Sequence, residues 1–402
     1  MSLISVEEAY ARLVTPVRPI ARTEELPLAE AAGRVLAEDI VARRTQPGFA
    51  ASAMDGYAVR AADTEQPFQP LRVIGEAAAG RVFSGHVGEG EAVRIFTGAP
   101  IPDGADAILI QEDAERREDG SLLPTESVRP DQHVRPAGVD FRDGDRLLSK
   151  GTHLSPGAIA LAACGGYPRL QVLARPKVAV LATGDELVPP GAEAGPAQIV
   201  ASNSYGVAAL IEQAGGEALD LGIAPDDEGQ IAGHLDAALE AGCDVFVTIG
   251  GASVGNHDLI GKVFQSKNVE LAFLKVAMRP GKPLLAGTIG DMRLVGLPGN
   301  PASAMVTATL FLAPLVRALS GRDAGVPREA GVLGSDLAPN GERADFMRAT
   351  RSIEDGRKII RPLPRQDSSL LSIYAAADVL LVRAPQAPAA QAGEPCAFIA
   401  LA

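Results

Sequence analysis

Three short segments of the 402-residue sequence place carboxylates directly after apolar runs. "TGDEL" carries Asp185 and Glu186, "APDDE" carries Asp226 and Asp227, and "GGASVGNHD" ends on Asp258. The last begins like a strand, "VFVTI", and turns into small residues, Gly250, Gly251 and Ser253, that let backbone N–H groups approach an anion closely. A nucleotide-triphosphate loop would close on Lys and then Ser or Thr. This one closes on Asn256, His257 and Asp258. Carboxylates on one rim suit magnesium, which takes one or two of them together with phosphate oxygens and water. For each loop the competing reading is a helix cap, because Asp and Glu favour helix N-termini.

The positive counterpart is "FLKVAMRPGKPLL", with Lys275, Arg279 and Lys282 inside eight residues. Pro280 and Pro283 push Arg279 and Lys282 toward extended backbone, which stiffens the segment and suits an anion with several oxygens; a solvated charged loop is the alternative. "GLPGNPASAM" adds Pro298, then Asn300 as a helix cap, Pro301 in the first turn and the Ser303 hydroxyl beside it. Asp55-Gly56 in "ASAMDGYAVR" reads first as a hairpin turn.

These residues need a scaffold. From Lys177 the strands "KVAVLAT", "GEALDLGIA" and "CDVFVTIGG" alternate with helical segments at 202–214 and 228–241, the signature of a parallel sheet with helices on its faces. "PLLAGTIG" and "MRLVGLPG" flank a turn at Gly290-Asp291, and a long apolar helix runs from Asn300 to about Leu319. Ligands of such sheets lie beyond the carboxyl ends of the strands, where the acidic loops and "LPGNPAS" stand. Upstream, Ser5 and Glu8 form a capping-box pattern for a first helix. "LPLAEAAGRVLAEDIVA" reads as a second helix ended by Gly33 and then a strand, and "LSPGAIALAACGG" as a third helix. Between them, residues 43–140 read as a small β-rich unit inserted into a discontinuous domain of 1–42 and 141–175. An α/β domain of 176–322 and a closing β-barrel or sandwich of 323–402 complete the expected multidomain α/β organisation.

Bulk properties exclude several classes. With 50 acidic and 37 basic residues, net charge −13, nucleic acid is not the expected partner. Three scattered cysteines suggest neither a disulfide framework nor zinc, and the acidic N-terminus lacks a secretory layout; a cytoplasmic protein is expected. The apolar run from Ala302 to Val316 is too short and interrupted to suggest a membrane span.

"SAMDGYAVR", "TGAPIPDGADAI", "ATGDEL", "GGASVGNHD", "RPGKP" and "LPGNPAS" occur in that order from Ser52 to Ser303. Together they resemble the molybdopterin molybdenumtransferase family, the bacterial MoeA proteins and the E domain of gephyrin. The resemblance implies insertion of molybdenum from molybdate into adenylylated molybdopterin, with magnesium and release of AMP, by an elongated homodimer whose site lies near the subunit interface. It implies catalytic roles for Asp55, Asp140, Glu186, Asp226 and Asp258, the last three around the metal. It implies substrate contacts at Thr97, Gly250, Gly251, Ser253, Lys275, Arg279, Lys282, Pro298, Asn300 and Pro301. Lys282, Ser303, Arg348 in "DFMRA" and Ser368 in "RQDSS" resemble the molybdate ligands. Other enzymes that make the cofactor are implied as partners. Two departures stand out: Asp367 where the family usually has Gly, and Arg279 where many relatives have Lys. Rival readings are an adenylyltransferase built on the α/β domain alone, against which the length speaks, and a gephyrin-like scaffold, which could have lost the carboxylates retained here.

Overall fold

The computed structural model describes residues 3–251 and 259–401. The chain divides into two compact units, 25–172 and 1–24 with 173–402.

In the second of these, helix α1 (Val6–Leu13) starts at Ser5, whose Oγ accepts from the Glu8 amide at 3.0 Å, and it buries Val6, Ala9 and Leu13. Glu8 does not complete the box; its carboxylate pairs with Arg12 one turn on.

Unit 25–172 is built on a four-stranded sheet of β1 (Gly56–Val59), β2 (Arg72–Ala77), β3 (Glu91–Ile95) and β4 (Ala107–Ile110), in the order β2-β3-β1-β4. Both its faces are covered: Tyr57 and Val59 join one apolar cluster and Ala58 between them joins another, as the two-residue period of a strand requires. Helix α2 (Pro156–Cys164) is capped by Ser155 and followed by Gly166 at φ +96, as the sequence suggests.

Two expectations fail here. The second helix is absent: Thr23–Pro27 is a strand and only Leu28–Glu30 makes a 3-10 turn. Beyond it, the amides of Gly33, Leu36 and Ala37 donate to the carbonyls of Leu154, Thr152 and Gln171, so long-range pairing replaces the helical ladder. Asp55-Gly56 is no hairpin turn either. Gly56 opens β1, pressed between β3 and β4, and a Cβ there would lie 2.1 Å from the Leu109 carbonyl oxygen. The glycine answers a close backbone approach, not a positive φ.

The other unit is organised by a six-stranded sheet. Its members are β5 (Lys177–Thr183), β6 (Glu217–Ala224), β7 (Val245–Ile249), β8 (Glu270–Phe273), β10 (Leu285–Ile289) and β11 (Met292–Leu297), β9 being Met278–Arg279. The order is β6-β5-β7-β11-β10-β8. The first four are parallel; β10 pairs antiparallel with both β11 and β8, so the sheet is mixed where the alternating pattern suggested parallel strands. The cause is local: β10 returns into β11 through a hairpin at Gly290, φ +54, with no crossover helix. Alternate residues of β5 and β7 feed two separate apolar cores, Val178, Val180 and Val247 on one side, Ala179, Leu181 and Phe246 on the other. Burial on both faces explains the unbroken apolar runs.

Helices α3 (Asn203–Gln213), α4 (Glu228–Glu240) and α5 (Leu259–Ser266) flank this sheet, and α6 runs from Pro301 to Leu319 with a π turn at Ala308–Leu312. Length and composition would let α6 cross a bilayer, but it is 83% buried inside the fold and serves as a core helix. The C-terminal strands β12 (Glu329–Leu333), β13 (Ala344–Glu354), β14 (Arg357–Pro362), β15 (Val379–Arg383) and β16 (Pro395–Ala400) pair in the order β13-β14-β12-β16-β15. A further pairing of β13 with β15 closes them into a barrel. β9 joins its rim, parallel to β13, with Arg279 opposite Asp345.

Candidate active site

A cavity of about 870 Å³ opens where the four parallel strands end, as expected for an open α/β sheet. It gathers the predicted residues Glu186, Asp226, Gly250, Gly251, Arg279, Lys282, Pro298, Asn300, Pro301, Ser303 and Ser368. Lys275 and Arg348 are not among its lining residues. Asp55, Thr97 and Asp140 belong to unit 25–172, and Ser253 and Asp258 lie outside the described residues.

The acidic loops sort their carboxylates into two kinds. Asp185 accepts from the Asp226 amide at 3.1 Å, tying two strand-end loops together. Asp227 caps α4, accepting from the Gln230 amide at 2.8 Å. For Asp227 the capping reading is correct, and Asp185 spends its carboxylate on the neighbouring loop. Their neighbours Glu186 and Asp226 line the cavity.

The glycine cradle is sterically obligatory. Gly250 and Gly251 hold φ of +100 and +63, and Cβ atoms there would lie 2.5 Å from the Thr183 carbonyl oxygen and 2.9 Å from its Oγ1. That Oγ1 is buried without a hydrogen-bond partner among the described residues, and so is Oδ1 of Asn203, whose Nδ2 donates to the Gly299 carbonyl at 2.7 Å. Both residues line the cavity, and an unsatisfied buried polar atom there is one a ligand or water can complete. Among the described residues no cluster of three His, Cys, Asp or Glu side chains could hold a metal unaided. Glu186 and Asp226 supply the one or two carboxylates that magnesium takes when phosphate and water provide the rest, so the donor set fits that ion.

At the start of α6, Asn300 stands at the N-cap but makes no side-chain cap. Its Nδ2 donates instead to Ser368 Oγ at 2.9 Å, and the Ser368 carbonyl accepts from the Ala302 amide at 2.9 Å. A loop of the C-terminal segment therefore caps this helix. Asp367 is not among the lining residues, and its Oδ1 accepts from the Ser369 amide and hydroxyl at 2.8 and 2.6 Å, which holds its carboxyl below the usual range.

Arg279 is extended, as Pro280 requires, and its guanidinium donates twice to Asp345 Oδ2, from Nε at 3.1 Å and from Nη2. Asp345 is 4% exposed. Hydrogen bonding to this carboxylate raises the Arg279 pKa. Arg348 is 1% exposed, with Nη2 on the Asp367 carbonyl at 3.2 Å and Nε unpaired among the described residues; burial lowers its pKa. It stands behind the loop that presents Ser368. In unit 25–172, Asp55 is exposed and accepts from the amide and hydroxyl of Thr97, both at 2.8 Å, bonds that lower its pKa. The motif-based reading missed Asp345, Asn203 and Arg343. None of the three lies in a segment whose spacing points to a ligand, and only the pairing of β9 with β13 gives Asp345 its meaning.

Family models match nearly the whole chain: the MoeA N-terminal region (domain I and II) over residues 4–166, a probable molybdopterin binding domain over 179–318, and the MoeA C-terminal region (domain IV) over 330–401. A molybdopterin molybdenumtransferase of Haemophilus influenzae is 35% identical over 395 residues, covering 98% of this chain and 97% of its own. That of Bacillus subtilis is 33% identical over 388 residues, covering 94% and 90%. The crystal structure of a molybdopterin biosynthesis MoeA protein from Pyrococcus horikoshii superposes with a TM-score of 0.84 at 31% identity, covering 99% of each chain. With its three regions matched in order and full-length relatives above 30% identity, the chain belongs to the molybdopterin molybdenumtransferase family, a family of transferases.

Proposed function

We propose that this protein inserts molybdenum, supplied as molybdate, into adenylylated molybdopterin with magnesium, releasing AMP. The observation that supports this most directly is the convergence of opposite charges in one cavity: Glu186 and Asp226 at the acidic strand ends, with Lys282 and the first turn of α6 in the same lining. A pyrophosphate link needs both, cations for its oxygens and carboxylates for a metal. Magnesium, when bound, supplies Lewis-acid polarisation of the phosphate. Glu186 and Asp226 would hold it, and the glycine cradle and Lys282 would orient the phosphoryl groups. Ser303 and Ser368 would present hydroxyls to molybdate.

By the same reading the protein is a homodimer, Asp55, Thr97 and Asp140 completing a site near the interface between copies. The adenylyltransferase and scaffold readings gain no support from the relatives, which cover the full chain and carry a transferase name. The test is incubation of the purified protein with adenylylated molybdopterin and magnesium, with and without molybdate, while AMP is measured. Molybdate-dependent AMP release is expected. Absence of release with every oxyanion tried would overturn the proposal.

A further inference from the structure

Of the cations brought to the cavity by the "RPGKP" segment, Arg279 is neutralised by the buried carboxylate of Asp345, in register across the β9–β13 pairing. Lys282 makes no ion pair among the described residues. Among the described residues of that segment, Lys282 is therefore the lining cation left for a phosphate.

Arg343, one residue before β13, lines the same cavity and belongs to none of the family motifs. Its base is fixed. The Arg343 carbonyl accepts from Asn340 Nδ2 at 2.9 Å, and Nδ2 also reaches the Ala384 carbonyl at 2.7 Å. The adjoining Ala344 amide donates to the Ala277 carbonyl at 2.9 Å. The guanidinium has a single contact among the described residues, Nη1 to the Met278 carbonyl at 3.4 Å. That acceptor is neutral and distant, and it leaves most of the guanidinium donors unused. A half-buried arginine on a pinned backbone, without a carboxylate partner among the described residues and lining the same cavity as Lys282, is an anion site in waiting.

We infer that Arg343 binds phosphoryl oxygens of the substrate, its planar fork matching two oxygens of one phosphate. The inference rests on the proposed function, because it takes a phosphorylated substrate in this cavity. Tetrahedral molybdate presents similar chemistry, but the hydroxyls of Ser303 and Ser368 gather at the α6 end of the cavity, whereas Arg343 stands against β9.

The test is binding of adenylylated molybdopterin, and separately of molybdate, to the full-length parent, Arg343→Gln and Arg343→Lys, with melting temperature as the folding check. Arg343→Gln is expected to melt near the parent, to bind the pterin about tenfold more weakly, and to show a shallower salt dependence. Arg343→Lys, which keeps charge but not the fork, is expected in between. Pterin affinity within about twofold of the parent in both variants at low salt would overturn the inference. So would an equal loss in both, which would point to packing, and so would a loss confined to molybdate. Failure of the parent itself to bind the pterin would instead overturn the proposed function, and this inference with it.

Discussion

Ser368 and Asn300 meet across 68 residues of sequence, the amide of one donating to the hydroxyl of the other at 2.9 Å, while the Ser368 carbonyl takes the Ala302 amide. One residue of the C-terminal segment thus closes the first turn of a helix in the α/β region. The carbonyl bond belongs to the backbone, so Ser368→Ala keeps it and loses only the side-chain contact.

The first prediction follows. Ser368→Ala and Asn300→Ala each lose the same hydrogen bond, worth about 1 kcal/mol, and the double variant should lose little more than either single one. Chemical denaturation checks the cycle. If Ser368 also presents its hydroxyl to molybdate, Ser368→Ala additionally raises the molybdate concentration needed for half-maximal AMP release. A stability loss with an unchanged molybdate requirement would confine Ser368 to capping.

Gly56 should resist every side chain. A Cβ would meet the Leu109 carbonyl oxygen at 2.1 Å and the Ile110 Cα at 2.9 Å, both backbone atoms in the middle of a sheet. Gly56→Ala is therefore expected to cost about 3 kcal/mol or more, through forced separation of β1 and β4. A melting temperature equal to the parent's would contradict that packing.

The barrel carries a pH-sensitive pair at its β13–β14 edge. Arg361 donates to both Glu354 oxygens, at 2.7 and 2.9 Å, and Ser352 donates to Oε1, together lowering the Glu354 pKa from 4.5 to about 2. A depressed carboxyl pKa gives stability that is complete above the ordinary value and lost as pH falls through the folded one. Glu354→Gln should consequently melt slightly below the parent near neutral pH, the gap narrowing below pH 4.5 and vanishing near pH 2. The pair is exposed, so the gap is small and shrinks in salt. A gap that persists unchanged in acid would remove Glu354 from the account.

Much of the scaffold is legible in the sequence, because its signals are local. Ser5 and Ser155 cap the helices they precede, and Gly290 turns the β10–β11 hairpin. Carboxylates after strand ends mark the cavity rim. What is not legible depends on partners far along the chain. "LPLAEAAGRVLA" carries helical periodicity, yet the amides of Leu28, Gly33, Leu36 and Ala37 donate to the carbonyls of Pro168, Leu154, Thr152 and Gln171. Asp55-Gly56 has turn chemistry, yet the glycine is demanded by a neighbouring strand's carbonyl. Arg348 bears the charge expected of an oxyanion ligand, but its burial and its bond to the Asp367 carbonyl come from packing that spacing does not reveal. The pairing of Arg279 with Asp345 depends on parallel register between segments 66 residues apart, which spacing cannot reveal.

The last prediction separates neighbours of like charge. Asp185 and Asp227 accept backbone amides, of Asp226 and Gln230, while Glu186 and Asp226 line the cavity. Asn accepts an amide hydrogen bond about as well as Asp at a cap, so Asp185→Asn and Asp227→Asn should keep the parental fold and most of the rate of AMP release. Glu186→Gln and Asp226→Asn preserve shape equally well but remove charge that a hard dication requires. Their fold should also hold, while AMP release falls on the order of a hundredfold or more, equivalent to several kcal/mol of Lewis-acid stabilisation. If weakened magnesium binding is the cause, raising magnesium recovers part of that rate. The comparison is internal, because each pair of adjacent residues undergoes a charge-removing change of the same kind. Equal losses within a pair would mean that negative charge on the rim matters without regard to position. Equal retention within both pairs would leave Glu186 and Asp226 as bystanders and remove the metal from this wall of the cavity.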